Sequence, residues 1–144
     1  MSLIRKGIAA GAIAGVLSGA PSTVHAMLTG GDPLAATEAA GAMLLPKETR
    51  RSRLLLAAIP VHAALSLGWG IALAITLPRK GSIPWGAAAG GAIALLDLGA
   101  FGGRFPRIRQ LPVMPQVMDH IAFGVVVGAV LATDPGWSGR RRRR

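Results

Sequence analysis

Four apolar stretches alternate with short, arginine-rich polar ones along this chain, and each has the length of a bilayer crossing. They run over Gly7 to Leu28, Leu54 to Leu77, Ile83 to Gly103 and, from a polar start, Pro112 to Thr133. At ~1.5 Å per residue, a helix of about 20 residues matches a ~30 Å hydrocarbon core. The pattern predicts an all-α fold, a polytopic membrane bundle of four transmembrane helices. A shorter element lies between the first two spans in "GGDPLAATEAAGAMLLP" (30–46). Asp32 as N-cap and Pro33 at the first helical position predict a helix over about 33–45, ended by Pro46. Its ~18 Å reach is too short to cross. An interfacial or re-entrant helix is expected, with Glu38 turned towards water or the bundle. Residues 1–139 then form a single transmembrane domain and 140–144 a basic tail.

Small residues say how the spans pack. Gly7, Gly11, Gly15 and Gly19 repeat every four residues along one face of the first span. Gly86, Gly90 and Ala94 do the same in the third, and Gly124 and Gly128 in the fourth. Small side chains at this spacing let helix backbones approach closely, a main source of association in lipid. A tight bundle, a homo-oligomer or a place in a larger membrane complex is expected.

The end of the first span, "SGAPSTVHAM" (18–27), has three readings. Val24 and Ala26 stand at the small-residue positions of a signal-peptidase site, and cleavage there leaves three spans. The same residues fit a polar site held inside the bilayer. The reading taken is a proline-kinked membrane helix with Ser18, Ser22 and His25 facing the bundle, Pro21 being tolerated where side chains and neighbours satisfy freed backbone groups.

Composition sharpens the placement. The chain is 51% hydrophobic and 15% charged with a mean hydropathy of +0.50, whereas soluble domains spread far more charge along their length. A net charge of +10 in a soluble chain would suggest nucleic acid. Here the basic residues cluster at the ends of the apolar spans, where they serve as flanking anchors and anionic-lipid contacts, so no nucleic-acid partner is expected. Arg140, Arg141, Arg142, Arg143 and Arg144 are the strongest such contact. With both termini inside, Arg5, Lys6, Arg79, Lys80 and the terminal arginines put nine basic residues on the cytoplasmic side against seven outside. That bias, with Trp85 and Trp137 at the same interface, favours cytoplasmic termini in a bacterial inner membrane, and a dual orientation stays open. Cysteine is absent, which removes disulfides and thiolate metal sites.

The polar residues within the spans fall in one half of the bilayer. Measured from the side of the first and third loops, His62, His120 and Asp119 lie ~12 Å deep, Asp97 ~10 Å and His25 ~5 Å. His62, Ser66 and Gly70 form one helical stripe, and Gln116, His120, Gly124 and Gly128 another. Buried ionisable groups are costly, so they are expected to turn inward and meet one another or water. Two readings follow. One is a polar cavity in which Asp97 pairs with His62 or His120 and accepts a proton, a small cation or a polar ligand. The other is interhelical hydrogen bonding that fixes packing.

Other chemistries find less support. A b-type haem or a metal at His62 and His120 is the alternative to having no cofactor, but three Phe, three Trp and no Tyr make a poor haem wall. No metal site is assigned. Ser22 and His25 stand one helical turn apart without a GxSxG, HExxH or phosphate-loop motif, so no catalytic residue and no enzyme are expected.

A duplication is hinted at. "GAIAGVLSGA" (11–20) matches "GAIALLDLGA" (91–100) at six of ten positions. "VHAALSLGWGIALA" (61–74) matches "DHIAFGVVVGAVLA" (119–132) at five of fourteen, aligning His62 with His120. Two hairpins in tandem would give this pattern. Together with "WGAAAGGAIALLDLGAFGGRFPRIRQLP" and "PQVMDHIAFGVVVGAVL", the stretch from Gly7 to Leu131 resembles small four-span bacterial membrane proteins of uncharacterised function. The resemblance implies membrane placement and four spans, and it transfers no site residues. The function expected is accessory or structural, an assembly component packing by its glycine faces. The alternative is a small permease or channel for a proton, cation or small polar solute, using Asp97, His62, His120 and Asp119.

Overall fold

The structure is a computed structural model that describes residues 2–134, and the tail Arg140–Arg144 and Trp137 lie outside the described residues. The regular elements among them are all helical: α1 (Leu3–Leu17), α2 (Ala20–Thr29), α3 (Ala35–Leu44), α4 (Arg51–Thr76), α5 (Ser82–Ala94), α6 (Pro106–Arg109) and α7 (Val113–Thr133). A π-helical segment, Leu95–Phe101, and a 3-10 turn, Gly102–Arg104, extend α5. Four helical stretches are long and apolar enough to cross a membrane: Leu3–Thr29, Arg51–Thr76, Ser82–Arg104 and Val113–Thr133. The chain is a multi-pass membrane protein by that measure.

The spans pair as two hairpins, α1 with α4 and α5 with α7, and α7 joins them by packing on α1 and α2. Glycine makes both crossings. A Cβ on Gly70 would strike the backbone of Gly7 and Gly11, and one on Gly124 would strike the Gly86 carbonyl. Gly90 lies equally close to the His120 carbonyl, Gly128 to that of Ser82, and Gly15 to the Ser66 side chain. Ser82 Oγ donates to the Gly128 carbonyl at 2.9 Å across the same seam. Gly19 departs from the expected stripe, because nothing lies within 4 Å of where its Cβ would be. It instead opens a new helix.

That new helix shows how the chain accommodates the proline of the "SGAPSTVHAM" stretch. Pro21 has no N–H to offer the preceding turn, so the first span breaks at Ser18–Gly19. α2 starts afresh with Gly19 as N-cap and Pro21 in its first turn, and it ends at Gly30 in the left-handed region (φ 72).

α3 starts two residues later than the proline signal predicts. The Asp32 carboxylate accepts the Leu34 N–H at 2.9 Å, the bond expected of an N-cap, but it closes a turn ahead of the regular helix, whose own N-cap residue is Leu34. The helix lies along the first turns of α4, close enough that a Cβ on Gly41 would meet the carbonyl of the fully buried Leu54.

One end of the bundle, the loop end, carries α3 and α6; the other, the terminal end, carries the start of α1, the turn after α4 and the end of α7. The main apolar cluster comprises Ala10, Ala14, Leu73, Ala74, Leu77, Ile93, Phe123, Val127 and Leu131. By chain order every member lies on the terminal side of Gly15, Trp69, Asp97 and His120. Buried Lys6 pairs with Asp134 at 2.7 Å at that end.

Candidate functional site

Asp97 sits in the π-helical segment, where the Gly102 N–H reaches back five residues to the Asp97 carbonyl. Such widened turns recur at functional sites because they re-aim a side chain without breaking the helix. Here the Asp97 carboxylate faces α4 and α7. Trp69 Nε1 donates to Asp97 Oδ2 at 3.2 Å, and His120 Nε2 lies 3.4 Å from the same oxygen. The other ring nitrogen, Nδ1, donates to the Gln116 carbonyl at 2.7 Å. Of the two partners open to Asp97 from the sequence, the structure joins it to His120.

His62 and Asp119 turn to the helix break instead. His62 Nε2 donates to the Gly15 carbonyl at 2.7 Å. Gly15 carries one of the last carbonyls of α1, which run out of helical donors where the helix stops. Asp119 Oδ1 accepts the Ser22 N–H at 2.9 Å, in the first turn of α2. A carboxylate at a helix N-terminus and an imidazole at a helix C-terminus both sit at the favourable end of the dipole. Each closes a backbone group that lipid would leave unsatisfied.

His25 is half-buried and its ring has no hydrogen-bond partner among the described residues. It lines a cleft of about 100 Å³ at the loop end together with Ser22, Asp32 and Gln116. A second cleft of about 210 Å³ is walled by Leu98, Ile108, Arg109 and Gln116. Both clefts share Gln116, one turn towards the loop end from His120.

Charge at the loop end is networked. Arg51 meets Asp32 and Glu38 at 2.8 Å each, Arg53 meets Glu48 at 3.1 Å, and Arg107 approaches the other Glu38 oxygen at 3.8 Å. Glu38 therefore faces the arginines rather than open water. Asp32 is held below its ordinary value by the Leu34 N–H and then the Arg51 guanidinium. The Arg50 N–H and the Arg53 guanidinium do the same for Glu48.

Trp69 is the site residue that the sequence pattern missed. Its signal was available: a tryptophan well inside a span, away from the interface where that residue is usual, and three positions from Ser66 on the polar stripe. Among the described residues no three of His, Cys, Asp and Glu converge to hold a metal. The two histidines considered as haem or metal ligands, His62 and His120, each bond to separate protein partners. In comparisons with family models, curated proteins and solved structures, nothing matches this chain.

Proposed function

We propose that this chain is an accessory or structural component of a bacterial cell membrane, with both termini cytoplasmic, that assembles with further copies or with a larger membrane complex. The observation that carries this reading is the use of His62 and Asp119. Two of the five candidate polar residues within the spans bond to backbone groups at a helix break, a structural use of those side chains. A second support is that only 22% to 28% of each span's most apolar window is buried within the chain, which leaves broad apolar faces for lipid or for helices of a partner. Arg140–Arg144 would add contact with anionic lipid. Native mass spectrometry from lipid nanodiscs, with in-membrane cross-linking, tests the reading. Multiples of the chain or a constant co-purifying membrane protein support it, and a lone monomer in native membrane opposes it.

A second reading, a small permease or channel for a proton or cation, draws on the Trp69, Asp97 and His120 contact. Under it, Asp97→Asn abolishes a solute- or pH-dependent flux in liposomes while assembly is retained. Under the first, no such flux exists to abolish.

A further inference from the structure

The geometry points to a dead-end proton-binding site: the Asp97 and His120 pair holds one exchangeable proton, reached from the loop end and sealed from the terminal end.

The proton count follows from the donors. His120 Nδ1 faces the Gln116 carbonyl, which only accepts, so that nitrogen carries a hydrogen. A neutral imidazole then leaves Nε2 bare, with its lone pair aimed at Asp97 Oδ2, itself an acceptor when ionised. Two lone pairs facing each other inside a bilayer are repulsive. One proton between them removes the conflict, whether the pair is imidazolium with carboxylate or imidazole with carboxylic acid. Either form is neutral overall, which suits the bilayer interior. Trp69 Nε1 donates to the same Oδ2 and fixes the carboxyl without supplying a titrating group. The site thus belongs to the pair rather than to either residue.

Access is one-sided. About a fifth of each side chain is exposed, 21% for Asp97 and 22% for His120. Each of the two loop-end clefts is lined by Gln116, the residue whose carbonyl holds the His120 ring one turn away. Towards the terminal end the way is filled by Ile93, Phe123, Val127 and Leu131, all buried. The charged and titratable groups around the pair and its clefts are Asp119, adjacent on α7; His25 and Asp32 in one cleft; Arg109 in the other; His62 on α4, bonded to Gly15; and Lys6 on α1, at the far end with Asp134. When alkaline water at the loop end takes the proton, hydroxide becomes water, and the pair is left as carboxylate and neutral imidazole with a net negative charge.

The test is nitrogen-15 NMR of histidine-labelled protein, reconstituted in one orientation in liposomes, with the pH of each bath set separately and the vesicle interior followed by a pH dye. Expected is a proton on or shared by His120 Nε2 at neutral pH, lost when the loop-end bath is made alkaline and unmoved by the terminal-end bath, with no proton flux above protein-free liposomes. Asp97→Asn should lose the Nε2 proton signal and Trp69→Phe should keep it. A bare Nε2 in the wild-type protein overturns the proton. A response to the terminal-end bath, or a flux that Asp97→Asn removes, overturns the dead end and supports the permease reading. The accessory reading is judged separately, by assembly.

Discussion

The Ser22 N–H of α2 and the Asp119 carboxylate of α7 are joined at 2.9 Å across 97 residues of sequence. A helix that begins inside a membrane needs a cap that water cannot supply. Gly19, its N-cap residue, has no side chain to give. The neighbouring helix provides the acceptor instead, and the first span is thereby tied to the hairpin formed by α5 and α7.

Removing that acceptor should loosen the bundle. Asp119→Ala is expected to cost about 1 kcal/mol, the usual value of a helix cap, while Asp119→Asn keeps an oxygen for the Ser22 N–H and loses less. Reversible unfolding in mixed detergent micelles reads the difference. Equal losses for the two variants would show that the carboxylate charge, not the cap, is what α2 needs.

The glycine seams make a sharper contrast. Gly124→Ala drives a methyl group into the Gly86 carbonyl and should cost about 1 to 3 kcal/mol, the range for overpacking. Gly19→Ala meets nothing within 4 Å and should cost less, up to about 1 kcal/mol for the poorer N-cap residue. The two substitutions are chemically identical. Similar unfolding midpoints for both would contradict the close approach of α5 and α7.

Much of this architecture was legible in the pattern of the chain. The apolar runs marked the four spans because a bilayer fixes their length, and Gly7, Gly11, Gly86 and Gly124 marked the packing faces because helix periodicity is local. Asp97 could be read as a partner of one of two histidines, since depth follows from counting residues, but rotation about the helix does not. What decided between them was the pairing of α5 with α7, which brings Asp97 beside His120, and "LLDLGAF" carries no signal that separates the five-residue hydrogen-bond step found there from a four-residue one. Gly19 continued the four-residue repeat on paper and left it in space because Pro21 ended the helix that carried the repeat. The roles of Asp119 and His62 were hidden for the same reason: each answers a backbone group freed by a break on another helix.

His62 should share its effect with Asp119. His62→Ala leaves the Gly15 carbonyl without its donor, an expected loss of about 1 kcal/mol or less for a hydrogen bond between membrane helices. Both residues hold the same junction from opposite sides, so once one is gone the junction is already loosened. The double variant His62→Ala with Asp119→Ala is expected to lose less than the two single losses combined. Strict additivity in the same unfolding assay would mean that the two caps act on independent parts of the fold.

The loop end should respond to acid before the spans do. Asp32 and Glu48 lie below their ordinary values of 3.8 and 4.5, so each protonates more readily when its contacts are lost. A carboxylate depressed in the folded state contributes stability that is complete above the unfolded value and disappears as pH falls through the folded one. The contribution is therefore whole at neutral pH, starts to fall below about pH 4.5 and is gone below both folded values. Amide-exchange protection across residues 34–54, corrected for the intrinsic rate at each pH, should drop between pH 5 and pH 3 (about the range of these carboxylates). Asp32→Asn with Glu48→Gln should flatten that dependence by removing the titrating groups while keeping oxygens for the Leu34 and Arg50 N–H groups. Protection in α4 beyond Ala58 should hold over the same range, because those amides are closed by the helix itself. If instead the whole of α4 opened together with the loop end, the charge network at Arg51 and Arg53 would be holding the span rather than only its entry.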